Sequence, residues 1–186
     1  MSMTLCPDNE MQALTQAMQK EQGEPLFQRI DGLLARYPDD ARLYFVRGSV
    51  FAGAGRLIEA YRAFARAVEI APDFTLARFQ LGFFQLTSGE PENALDTWGR
   101  LDLLPDGHYL RGFVTGLRCL IRDDFAGAIA HLREGIRVNT ENPPLSHDMQ
   151  LIIDQVIPLA AAKQNEAGGG ASETSLLLMQ LSGRKN

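Results

Sequence analysis

The sequence predicts an all-α chain of stacked antiparallel helical hairpins, closed at its C-terminal end by a capping helix. Three columns of residues carry that prediction. Gly48, Gly82 and Gly116 are spaced 34 residues apart, as are Ala60, Ala94 and Ala128, and as are Phe64, Trp98 and Leu132. A fixed period of this length marks supersecondary units stacked on one another. The small residues fall where two helices approach too closely for a side chain.

The first full unit, residues 41–74, sets the register. Tyr44, Arg47, Gly48 and Phe51 lie at helical spacing on a first helix, and Gly53 and Gly55 break the pattern to give a turn. Ala60, Phe64 and Ala67 follow at i, i+4 and i+7, one stripe of a second helix that Pro72 stops. Units 75–108 and 109–142 repeat the plan. Backwards, Pro38 lies one period before Pro72, so residues 7–40 read as a degenerate first unit, with Leu14 and Leu26 where glycine and alanine are expected. Residues 143–164 form one more helix, with Leu145, Met149, Ile152, Ile153, Val156 and Ile157 on a common face. Repeat stacks need an atypical terminal element to cover the last apolar face, and this segment suits that role. Pro158 removes a backbone donor and is expected to kink or end the helix. Residues 1–164 thus read as one helical domain, followed by a flexible linker at 165–171 and a leucine-rich tail at 172–186.

Composition excludes several classes. With 45% hydrophobic and 22% charged residues the chain is ordinary for a globular protein. A net charge of −5 and the lack of any basic run argue against nucleic acid as a partner. No apolar run approaches the roughly 20 residues of a membrane span, so no membrane insertion is expected. The first residues lack the apolar core of a secretory signal. Cys6 and Cys119 are too few for a disulfide framework, and the expected setting is cytoplasmic, with both thiols reduced.

The pattern of 41–74 resembles the tetratricopeptide repeat: an aromatic, Leu-Gly, an aromatic, then Ala, an aromatic, Ala and Pro. Arg47 replaces the usual leucine; unit 75–108 has Arg78 at the first aromatic position and Asp106 for the proline; unit 109–142 has Cys119 at the second aromatic position. The resemblance covers residues 7–142 and implies a right-handed superhelix with a concave groove lined by each unit's first helix. It places Arg42, Phe45, Ser49 and Ala52, then Leu76, Phe79, Phe83 and Leu86, then Leu110, Phe113, Leu117 and Leu120 along that groove. Relatives that clamp a chaperone's C-terminal carboxylate carry Lys, Asn and Arg there. Aromatic and leucine residues point instead to an apolar peptide or helix, and an apolar stripe open to water usually marks an interaction site.

The tail supplies one such segment. Leu176, Leu177, Leu178, Met179 and Leu181 put five large apolar residues in six positions. Burying five such side chains gains on the order of 7–15 kcal/mol, and ordering about ten residues costs on the order of 10–20 kcal/mol. Docking therefore relies on the tether, which supplies an effective concentration near the millimolar range. The tail is expected to lie on the groove of its own subunit or a neighbour's, the latter giving a homodimer by tail exchange.

Catalytic chemistry has little support. His108, His131 and His147 are dispersed, with no HExxH spacing, and none pairs with a cysteine. Cys119 reads as a buried structural thiol and Cys6 as an incidental one near the start. Asp39-Asp40 and Asp123-Asp124 each lie at a turn before a helix, where carboxylates cap free backbone donors. No catalytic residue, cofactor or metal is expected. The sequence reads as an interaction module, adaptor or scaffold, or alternatively as a small cytoplasmic chaperone for a secreted client. An accessory domain of an enzyme is the remaining reading.

Overall fold

A computed structural model describes residues 5–165, and among these all regular structure is helical. In chain order the helices are α1 (Asp8–Met18), α2 (Glu24–Arg36), α3 (Ala41–Gly53), α4 (Leu57–Ile70), α5 (Thr75–Thr87), α6 (Pro91–Trp98), a 3-10 segment (Gly99–Leu103), α7 (Tyr109–Ile121), α8 (Phe125–Val138) and α9 (Pro143–Asn165). The first helices of the three full units begin at Ala41, Thr75 and Tyr109, one 34-residue period apart. The linker and tail at 166–186 lie outside the described residues. Two compact units are present, one running to Leu81 and one starting at Gly82, with the boundary inside α5.

The first unit is built on the α3–α4 hairpin. A Cβ at Gly48 would stand 2.7 Å from the Phe64 ring, so the absent side chain is what lets the aromatic seat against α3. Ala60 and Ala67 are fully buried on the same side of α4. Gly55, with φ of +71°, makes the turn between the helices in a conformation that L side chains rarely adopt. Arg47, which replaces the pattern's leucine, pairs with Asp31 at 3.0 Å and lies 5.1 Å over the Phe51 ring. Phe51 stacks on Phe27 at 4.7 Å. α1 and α2 add an apolar cluster of Cys6, Leu14, Ala17, Leu26, Ile30 and Leu33, joined by Leu43 of α3.

In the second unit the same device recurs twice. A Cβ at Gly116 would stand 2.7 Å from Leu132, and one at Gly82 would overlap the Trp98 indole. Ala94, Trp98, Ala128 and Leu132 are all fully buried. α7 and α8 also approach closely at Gly112, where a Cβ would lie 3.2 Å from the Gly135 backbone. α6 ends early at Trp98 and the chain tightens into the 3-10 segment, which buries Leu101.

α9 packs on α8 and buries Leu145, Met149, Ile152, Ile153 and Val156. One expectation needs correction here, and another is narrowed. Ile157 is 42% exposed and leaves the packed face. Pro158 does not end the helix, which continues to Asn165. Near its end Lys163 donates to the Asp123 carbonyl at 2.7 Å and lies 5.1 Å over the Phe125 ring. These contacts tie the last turns of α9 to the α7–α8 turn.

Candidate functional site

The twelve groove positions fall into two groups by accessibility. On α3 all four, Arg42, Phe45, Ser49 and Ala52, are half-buried. Phe45 forms a small aromatic cluster with Phe64 at 5.9 Å and Phe74 at 5.3 Å, and the Ser49 hydroxyl donates to the Phe45 carbonyl at 3.1 Å. On α5, Leu76 and Phe83 are half-buried, whereas Phe79 and Leu86 are buried. On α7, Leu110, Phe113, Leu117 and Leu120 all have zero exposure.

The expectation of one water-exposed apolar stripe through all these positions is therefore corrected. Phe79, Leu86, Leu110, Phe113, Leu117 and Leu120 are core residues. For α7 the reason is its surroundings. It packs against α6, the 3-10 segment and α8, and eight of its 13 residues are buried. Phe113 shows the mechanism, because its ring occupies the space that a Cβ at Gly135 would need. The half-buried part of the twelve is Arg42, Phe45, Ser49, Ala52, Leu76 and Phe83.

The titratable residues have structural roles. His108 caps α7, its Nδ1 accepting from the Leu110 amide at 3.1 Å, and its ring stacks on Tyr109. His131 and His147 are exposed on α8 and α9. Asp124 caps α8 by accepting from the Gly127 amide at 2.9 Å, and that bond holds its pKa below the ordinary carboxylate value. Burial raises the pKa of the Cys119 thiol, and Asp124 adds to the effect. Among the described residues no group of histidine, cysteine and carboxylate side chains could hold a metal ion, and no helix is long and apolar enough to cross a membrane.

One polar constellation escaped the sequence. Asp40 is completely buried. It caps α3 by accepting from the Arg42 amide at 3.0 Å and also accepts the Cys6 amide at 2.9 Å. The Arg42 guanidinium donates to both Asp40 oxygens, at 3.0 and 2.7 Å, and to the Cys6 carbonyl at 2.7 Å. Burial works against the charged carboxylate. The Arg42 guanidinium and the Cys6 and Arg42 amides outweigh it and leave the pKa of Asp40 lowered. Cys6, read as incidental, is 2% exposed and belongs to the core, and burial raises the pKa of its thiol. The cap function of Asp40 was legible from its place before a helix. Its bond to a residue 34 positions away has no local signature.

No family model matches the chain, and no curated protein is significantly similar to it in sequence.

Proposed function

We propose that the chain is a non-catalytic protein–protein interaction module of tetratricopeptide type, an adaptor or scaffold that holds an apolar peptide or helix. The observation that carries this reading is the accessible set on the first helices of the hairpins. Phe45, Ser49 and Leu76 in the first unit are half-buried at the positions where this repeat type meets its ligands. Large side chains that stay partly open beside a packed core are what an apolar partner would cover. The carboxylates and histidines described above are committed to helix caps and ion pairs or lie dispersed on the surface, so no candidate site among the described residues favours the reading as an enzyme accessory domain.

The leucine-rich segment 172–186 is the first ligand to test. A chain ending at residue 171 is titrated with a fluorescent peptide of residues 172–186. The expected result is saturable binding in the range of hundreds of micromolar to millimolar, because the tether's effective concentration is lost. Phe45→Ala or Leu76→Ala should weaken it at least threefold with unchanged helicity. Non-saturable binding, or binding indifferent to both substitutions, rejects this ligand and this face. Deletion of 172–186 should also raise hydrophobic-dye binding. A small cytoplasmic chaperone for a secreted client remains the more specific version of the same reading, and a client captured only by the truncated chain would favour it.

A further inference from the structure

We propose that α1 is a displaceable latch, an amphipathic helix clipped over the apolar face of α2 and α3 by polar bonds, with Asp40 as the principal catch. Three observations carry this. The first is where the attachments lie. Ahead of α1 the Cys6 amide and carbonyl are held by Asp40 and Arg42, and Asp8, the first residue of α1, pairs with Arg42 at 3.5 Å. In its first turn Glu10 takes a two-pronged bond from Arg36 and a third, at 2.9 Å, from the Tyr37 hydroxyl.

The second is how little of α1 is packed. Of its 11 residues only Leu14 and Ala17 are buried, with Met11 and Met18 half-buried against the same cluster. A cleft of about 290 Å³ remains between α1 and α2, bordered by Glu10, Ala13, Leu14, Gln28, Gly32 and Arg36. The cleft is open to solvent, so water already reaches the edge of Leu14 between the two helices. The third is what α1 covers. Leu26, Ile30 and Leu33 of α2 and Leu43 of α3 form one apolar face with Leu14 and Ala17. Undocking α1 would expose that face while leaving the α3–α4 hairpin intact. Elements with few buried apolar contacts open locally at a cost below that of global unfolding.

The two buried thiols provide the test, since Cys6 reports on the latch and Cys119 on the second unit. The full-length protein is treated with N-ethylmaleimide at urea concentrations below the main transition, and modification of each cysteine is followed by peptide mass. Amide hydrogen exchange is recorded in parallel. The expected result is Cys6 modification at least tenfold faster than that of Cys119, with a shallow urea dependence. The α1 amides should exchange while those of α3 and α4 stay protected. Arg42→Ala should speed Cys6 modification a further tenfold or more and leave Cys119 unchanged. Glu10→Ala, which removes every acceptor of the second clip without touching Asp40, should act in the same direction. Exchange of α1, α3 and α4 as one unit would overturn the proposal, as would Cys6 modification with the steep urea dependence of global unfolding. So would Cys6 rates that neither variant changes.

Discussion

At Gly82 a methyl group would enter the space of the Trp98 indole, a rigid and fully buried ring. Overfilling a packed core costs about 1–3 kcal/mol, and the better helix propensity of alanine returns up to about 1 kcal/mol. Gly82→Ala is therefore expected to lose about 1–2 kcal/mol, read as a lower thermal midpoint by circular dichroism. Gly32, with nothing near its missing Cβ, is the control, and Gly32→Ala should be neutral or stabilising. Asp40 allows a prediction of opposite character. Its pKa is lowered on folding, so its contribution is present at neutral pH and disappears as pH falls below the ordinary carboxylate range. Asp40→Ala should cost about 2 kcal/mol at pH 7, from the lost cap and charge-assisted bonds. The gap between variant and natural protein should narrow on acidification towards pH 3. A constant gap across that range would show that the carboxylate's charge is not what stabilises the fold.

At the scale of elements, α9 is the piece whose removal the second unit should not survive. Leu145, Met149, Ile152, Ile153 and Val156 are all buried. Five such side chains represent on the order of 8–15 kcal/mol of gross burial, comparable with the whole stability of a domain of this size. A chain ending at residue 142 should lose the fixed environment of Trp98, bind hydrophobic dye and aggregate; a soluble chain with unchanged Trp98 emission would refute this. The helices themselves were legible because glycine, proline and alanine fall at 34-residue intervals, and the starts at Ala41, Thr75 and Tyr109 follow that count. The candidate site was legible only in part. Periodicity finds a second apolar stripe on α7, but it does not say what faces it, and here α6, the 3-10 segment and α8 enclose the helix. The Cys6–Asp40 link was not legible at all, because a polar bond between residues 34 apart leaves no pattern in either segment.

For the molecule as a whole, the close packing within each unit is between neighbours in the chain: α1 with α2, α2 with α3, α3 with α4, α6 with α7, α7 with α8, and α8 with α9. Local contacts of this kind lower the entropy cost of the folding barrier. Refolding from urea, followed by the single Trp98 in the second unit, is expected within milliseconds. A main phase lasting seconds would point to a slow step outside hairpin formation. The paired columns have a consequence for descent as well as for stability. Gly48 faces Phe64, Gly82 faces Trp98 and Gly116 faces Leu132, so in each hairpin one residue is empty because the other is large. What each pair must conserve is its combined volume rather than either identity. Related chains should then drift along an exchange line, in which alanine or serine at the first position accompanies a smaller plug at the second. A Gly82→Ala chain should likewise recover stability when Trp98 is trimmed to Leu.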